Sequence, residues 1–240
     1  MPGPAAVVFV DFDGTITLRD ATDAILEAFA DPAWLQLEDA WLSGQIGSRE
    51  CLTAQMALVT ASRDQVDRLL DEIGVDPGFA TLLDVCAAYG VPIHVISDGF
   101  DYCIGRILGR PDFNLLARLT DSQIVSSSLE PNGVRWRATF PHPPHPCAHG
   151  CGTCKAAAME RLKAVGAVMV FVGDGISDRY AAACADIVFA TGKLAAYCES
   201  ASIPYVPYDT LAAVAIGVGR LLGAGLPLPR SLPGKASRAV

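Results

Sequence analysis

The segment Ala5-Ala6-Val7-Val8-Phe9-Val10-Asp11-Phe12-Asp13-Gly14-Thr15-Ile16-Thr17 decides how the rest of the chain is read. Six uncharged residues, mostly β-branched or bulky, run straight into two carboxylates, which predicts a buried parallel strand carrying acids to its carboxyl end. Ligands of open α/β sheets bind at such strand ends. If the strand continues, alternation puts Asp11 and Asp13 on the same side, and Gly14 lets the backbone turn sharply away. Two like charges that close need a cation between them or a proton on one. Taken alone, a strand followed by a polar Asp-Gly turn would account for the same letters.

Outward from that strand, the pattern from Asp20 to Ile73 is helical, with Ala24, Ile25, Ala28, Phe29, Trp34, Leu35, Trp41, Leu42, Leu52, Met56, Val59, Val66, Leu69, Leu70 and Ile73 at three- and four-residue steps. It separates the first strand from the next by far more than one crossover helix needs, so it is expected to form a helical lid. Asp76-Pro77-Gly78 ends it, and Phe79 to Tyr89 is a predicted helix closed by Gly90. Val91 to Ile96 is a predicted buried strand ending in Ser97-Asp98-Gly99, followed by a short helix over 102–108. Residues 113–140 suggest extended segments joined at Asn132-Gly133.

Beyond a Pro/His/Cys loop over 141–154 come a helix over 155–165 and a third buried strand, Ala167 to Val172, that ends in Gly173-Asp174-Gly175. Residues 178–185 are predicted helical, 187–190 a short strand, 194–200 a helix, 203–206 a last strand and 210–222 a helix. Strand and helix alternate and every strand is nearly all apolar, which predicts a doubly wound, Rossmann-like α/β fold with a parallel sheet covered on both faces. The expected organisation is a core of residues 1–17 and 76–222, a helical cap over 18–75, and a loosely held tail from 223 to 240. Carboxyl ends of parallel strands gather on one edge, so Asp11/Asp13, Ser97/Asp98 and Asp174 are expected to converge.

At 240 residues and 51% hydrophobic, the chain can bury one α/β core and a small second unit. A net charge of −8 without a Lys/Arg cluster argues against a nucleic-acid partner and leaves small anionic ligands open. No basic n-region precedes the first strand and no stretch approaches a membrane span of roughly 20 apolar residues, so cytoplasmic residence without a membrane partner is expected, as monomer or homodimer. In that compartment the eight Cys should be mostly thiols.

DFDGTIT matches the first signature of the haloacid dehalogenase superfamily of phosphotransferases, DxDGT[LIV][TV]. The resemblance extends over the core: Ser97-Asp98-Gly99 resembles the second motif, Lys155 at a helix start the third, and Gly173-Asp174-Gly175-Ile176-Ser177-Asp178 the fourth, GDGxxD. It implies that Asp11 is a nucleophile that becomes an aspartyl-phosphate, and that Asp13 is general acid and then base. It also implies that Asp11, Asp174 and the Asp13 backbone carbonyl hold Mg²⁺ with Asp178 as further or supporting ligand. Ser97, the backbone N–H of Asp98 or Gly99, and Lys155 would hold phosphoryl oxygens. Each has a plainer reading: Ser97 a turn residue, Lys155 a solvated lysine, Asp178 a helix cap. Members of this superfamily that act on phosphate esters carry a carboxylate at the Asp13 position, so the resemblance implies a phosphatase of small phosphorylated metabolites. Phosphoryl transfer to an acceptor alcohol, and a non-catalytic protein that keeps the phosphate cradle, stay open as alternatives.

Gly44-Gln45-Ile46-Gly47-Ser48-Arg49-Glu50 in the predicted cap resembles a stretch in the caps of phosphoserine phosphatases and methionine-salvage ketomethylthiopentenyl phosphate phosphatases. Arg49 would reach an anionic substrate or else pair with a nearby acid, and Asp20 and Asp23 would contact substrate or cap a helix. The DFDGTIT opening, the placement of the cap, Phe140-Pro141-His142 and the Cys-rich run into Lys155 place the nearest resemblance in the branch that holds that methionine-salvage phosphatase and the phosphoethanolamine/phosphocholine phosphatases. Within the run, Cys147, Cys151 and Cys154 with His149 (and His142 and His145 nearby) have the ligand types of a structural Zn²⁺ site, against a reading as packed thiols or a disulfide. Cys51, Cys86, Cys103, Cys184 and Cys198 are expected in the core.

Overall fold

A computed structural model describes residues 5–142 and 149–224. Its strands lie in one mostly parallel seven-stranded sheet of order β4-β3-β2-β1-β5-β6-β7, where β1 is Ala6–Val10, β2 Ile93–Phe100, β3 Ile124–Asn132, β4 Arg135–Thr139, β5 Val168–Gly173, β6 Ile187–Ala190 and β7 Val206–Pro207. The doubly wound α/β architecture expected from the sequence is the one observed. By chain contacts the described residues divide into two compact units, one of 5–11, 76–94 and 159–224, the other of 12–75, 95–142 and 149–158.

The first unit is built on β1, β5, β6 and β7, all parallel, with Val10 opposite Val172 and Gly173 opposite Ala190. Every β1 residue is buried, as a strand with helices on both faces requires. Helices α5 (Gly78–Ala88) and α10 (Leu211–Gly223) pack on one another. Their contact needs glycine: a Cβ on Gly78 would lie 2.0 Å from the Ala212 nitrogen. Asp76 starts both helices, its carboxylate accepting from Gly78 N–H at 2.7 Å and from Leu211 N–H at 2.8 Å. Helices α8 (Arg179–Cys184) and α9 (Gly192–Ser200) complete this unit among the described residues.

The second unit holds the helical insertion, α1 (Ala21–Phe29), α2 (Trp34–Leu42), α3 (Ser48–Leu58) and α4 (Arg63–Asp71), with α6 (Asp101–Leu108) and the β3–β4 hairpin. Asp20 caps α1 and Ser62 caps α4 through a capping box with Gln65. The insertion is closed at its neck, where Thr17 bridges Val75 and Leu18 N–H donates to the Gly74 carbonyl. On another side it is fastened to the hairpin: Trp136 Nε1–H donates to the Ala61 carbonyl at 2.9 Å and Ala61 N–H to the Val134 carbonyl at 3.0 Å.

Several sequence expectations are corrected. Helix α2 buries none of its residues, and Leu35 and Leu42 are 52% and 51% exposed, so its apolar spacing does not mark a core face. Strand β2 does not stop at Ile96; it continues through Ser97-Asp98-Gly99 to Phe100 with a register irregularity between Ile96 and Phe100. Residues 116–118 and 121–123 are 3₁₀ turns rather than extended chain. The helix from Lys155, α7, ends at Leu162, and Val165 is fully exposed before Gly166 turns the chain with φ of 78°. The last strand is only the pair Val206–Pro207.

Burial holds for Cys51, Cys86, Cys103 and Cys198, whereas Cys184 at the end of α8 is exposed. Burial pushes the Cys51 and Cys86 thiols up to about 12, so both stay protonated near neutral pH. Residues 225–240 of the predicted tail lie outside the described residues.

Candidate active site

In the first unit the parallel register of β1 and β5 brings two acids to neighbouring strand ends. Asp11 follows β1 and donates its N–H to the Val172 carbonyl at 2.9 Å, while Asp174 follows β5. Asp178, in the 3₁₀ turn Ile176–Asp178, is fully buried and accepts through Oδ2 from the N–H groups of Asp174 and Gly175, both at 3.1 Å. Only glycine fits at 173, since a Cβ there would sit 2.4 Å from that oxygen. Carboxylate oxygens of Asp11, Asp174 and Asp178 all lie within 4.8 Å of one another. Three acids that close repel unless a cation or protons intervene, and oxygen-only donors suit a hard divalent ion such as Mg²⁺.

In the second unit, Asp13 accepts at Oδ1 from the N–H of Ala21 at 2.8 Å, so the start of α1 faces a carboxylate. Ser97 Oγ–H donates to Asp13 Oδ2 at 3.5 Å and accepts from Gly99 N–H at 2.9 Å. A Cβ at 99 would meet Asp13 Oδ2 at 2.1 Å, so a larger residue there would displace that carboxylate. Ser97 and Lys155 are both buried, Lys155 as the first residue of α7. The turned-away backbone at Gly14, with φ of 75°, is held by Thr17, whose Oγ1 accepts from Gly14 N–H and donates to the Phe12 carbonyl.

Asp20 accepts from Asp23 N–H at 2.9 Å, which is the capping role. Burial first, then the charges of Asp13 and Asp23, hold its carboxyl well above the ordinary range. A carboxyl raised in the folded state contributes stability below the unfolded value, near 3.8, that is lost as pH rises through the folded value. Asp20→Asn, which keeps a capping oxygen without the charge, is therefore expected to raise the melting temperature at pH 8 and to leave it nearly unchanged at pH 4. Thermal melts across that range check the sign.

Arg49 and Asp98 are placed where sequence alone does not put them. The Arg49 guanidinium donates to the carbonyls of Cys151 at 3.4 Å and Gly152 at 3.5 Å, and lies over the Phe140 ring. Asp98 accepts from Ser48 Oγ–H and from Thr153 N–H, each at 2.8 Å. Ser48 and Thr153 are both buried and neither is singled out by the sequence, where a serine at a helix start looks like any cap.

The zinc site is not supported. Cys147 lies outside the described residues. A tetrahedral ion needs its donors gathered, and among the described residues the only such cluster is the Asp11, Asp174 and Asp178 trio, not His149, Cys151 and Cys154.

A family model described as haloacid dehalogenase-like hydrolase matches residues 8–183. A 2-hydroxy-3-keto-5-methylthiopentenyl-1-phosphate phosphatase of Brevibacillus brevis is 32% identical over 207 residues, covering 85% of this chain and 90% of that protein. The protein of the same name from Geobacillus thermodenitrificans is 31% identical over 208 residues, covering 85% and 91%. Among solved structures, a substrate-bound phosphoserine phosphatase complex superposes with a TM-score of 0.64 at 16% identity, covering 90% of this chain and 99% of that one. Phosphoserine phosphatase from T. onnurineus gives 0.64 at 14% identity, covering 90% and 95%.

Proposed function

The chain belongs to the haloacid dehalogenase-like hydrolases, and from that membership we propose that it hydrolyses the phosphate monoester of a small cytoplasmic metabolite through a phosphorylated Asp11. The observation that carries this reading is the gathering of the Asp11, Asp174 and Asp178 carboxylates at the ends of two adjacent parallel strands. A strand end that collects like charges has no packing purpose.

In this reading an Asp11 carboxylate oxygen attacks phosphorus and the bond to the ester oxygen breaks, while Asp13 gives its proton to the departing alcohol. Water then attacks the phosphoaspartate, Asp13 takes the water's proton, and the phosphorus–Asp11 bond breaks to release inorganic phosphate. Ser97, the backbone N–H of Asp98 or Gly99, and Lys155 hold the non-bridging oxygens, where fixed positive charge and N–H groups favour the transition state. Mg²⁺, when bound by Asp11, Asp174 and the Asp13 carbonyl with Asp178 in support, would offset the mutual repulsion of these acids and the phosphoryl group. The helices of residues 18–75 act as a cap on a core of 1–17 and 76–222 and exclude water from the reaction. No described helix is long and apolar enough to cross a membrane. The names of the relatives support 2-hydroxy-3-keto-5-methylthiopentenyl-1-phosphate as a first substrate to try.

The test is release of inorganic phosphate by the purified protein with Mg²⁺ from a panel holding that compound, phosphoserine, phosphocholine and pyridoxal phosphate. No release from any member sinks the reading. Asp13→Asn separates the acid role from simple binding. In single-turnover measurements it should slow an alkyl monoester, whose alcohol needs the proton, by about 10² to 10⁴-fold, and p-nitrophenyl phosphate far less. Equal slowing of both would remove Asp13 as the acid.

A further inference from the structure

The start of α3 in the helical insertion and the loop ahead of Lys155 are joined by a closed run of hydrogen bonds in which both oxygens of one carboxylate take part. Gly152 N–H donates to Ser48 Oγ at 2.9 Å, Ser48 Oγ–H donates to Asp98 Oδ2 at 2.8 Å, and Thr153 N–H donates to Asp98 Oδ1 at 2.8 Å. Three distant parts of the chain therefore meet through two side chains: the insertion, the end of β2, and the segment that enters α7. Beside them Arg49 N–H donates to the Gly150 carbonyl at 3.0 Å, and the Arg49 guanidinium donates to the next two carbonyls. The backbones approach so closely that a Cβ on Gly47 would stand 2.6 Å from the Gly150 oxygen, and Gly150 itself takes φ of 61°. Glycine at both places is what the approach demands.

Two features argue that this junction is more than packing. Hydrogen bonds to a carboxylate are the stronger class, and a buried hydroxyl that both donates and accepts fixes its neighbours' directions. Thr153 is two residues from Lys155, a buried lysine at the first position of α7, so the backbone that aims the lysine is pinned just before it. A displacement of about 1 Å at such a group is enough to cost on the order of 100-fold in rate.

We propose that Asp98 is a positioning residue for Lys155: through Ser48 and Thr153 it ties the start of α3 to residues 150–153, so that the insertion sets where the lysine stands. This rests on the reading that Lys155 holds phosphoryl oxygens. Arg49 belongs to the same fastening, stacked on Phe140 and directed at the loop's carbonyls, and Asp98 acts through the loop rather than on the substrate.

The test compares wild type, Ser48→Ala, Ser48→Thr, Asp98→Asn and the Ser48→Ala/Asp98→Asn double variant in three readouts. These are amide hydrogen exchange at Gly152 and Thr153, the dissociation constant for inorganic phosphate, and kcat and KM for p-nitrophenyl phosphate with Mg²⁺. Ser48→Ala is expected to speed exchange at both amides and to weaken phosphate binding about tenfold, with a matching rise in KM. Ser48→Thr, which keeps the hydroxyl, should restore all three. The double variant should be no worse than Asp98→Asn alone, because both changes break one run of bonds. Additive losses in the double variant, or phosphate affinity unchanged in a variant whose exchange has risen, would overturn the proposal, as would a lowered melting temperature as the sole effect. If wild type neither hydrolyses esters nor binds phosphate, the phosphatase reading fails on its own. Exchange at Gly152 and Thr153 then still decides the junction: unchanged rates in Ser48→Ala refute it and faster rates uphold it.

Discussion

Asp11→Asn is expected to abolish turnover of a generic phosphate ester, lowering kcat at least about 10⁴-fold, with the protein still folded. The amide has the shape of the carboxylate and is no nucleophile, so the loss falls on the bond-forming step. Stability should not suffer, because the change takes one like charge out of a trio whose oxygens lie within 4.8 Å. Mass spectrometry after rapid quenching gives an independent readout: wild type with substrate should carry one phosphoryl group on Asp11, and the variant none. Retained activity in the variant would discard the nucleophile assignment whatever the fate of the metal.

Removing the divalent ion should silence the enzyme nearly as completely, and Asp174→Asn should reproduce that loss in the presence of Mg²⁺. The more telling prediction concerns stability, since it needs no substrate. Without metal, Asp174→Asn should melt at or above the wild-type temperature, because the mutual repulsion of Asp11, Asp174 and Asp178 has been reduced. With Mg²⁺ at about 100 times its dissociation constant, wild type gains about 2.7 kcal/mol. For a chain of this size that is a rise of about 5 °C or more, and the variant should show little of it. The order of the two melting temperatures should thus reverse on adding Mg²⁺. A variant that responds like wild type would mean that this trio is not where the ion binds.

How far the site could be read in advance depended on which kind of information each residue carries. Asp11, Asp13, Ser97 and Asp174 sit at or just beyond apolar runs, so strand ends point to them, whereas Asp178 is legible only through the resemblance of residues 173–178 to GDGxxD. The insertion's helices were legible from spacing, yet α2 shows the limit of that signal: its tryptophans and leucines repeat as a core face does, and the helix buries none of them. Ser48, Thr153 and Gly150 gave no local sign, because their role comes from a partner 50 or more residues away. The sequence marks Arg49 at a helix start, and only the fold shows that its guanidinium donates to the Cys151 and Gly152 carbonyls. The expected zinc cluster is not supported among the described residues, which do not include Cys147. Cysteine spacing states which donors are close in sequence, and only chain geometry states whether they face one point.

By itself, then, the order of residues determined the doubly wound α/β architecture, the place of the helical insertion and the identity of the acids at the strand ends. All of these follow from local hydrophobic pattern, turn chemistry and a covalent neighbourhood a few residues long. The tertiary structure alone decided that Asp11, Asp174 and Asp178 share one small volume. It likewise decided that Asp98 turns both oxygens to Ser48 and Thr153, and that glycines at 47 and 78 are steric necessities, each facing another stretch of backbone. Those facts depend on the register of paired strands and on backbones meeting at van der Waals distance, which no stretch of sequence contains until the whole chain has packed.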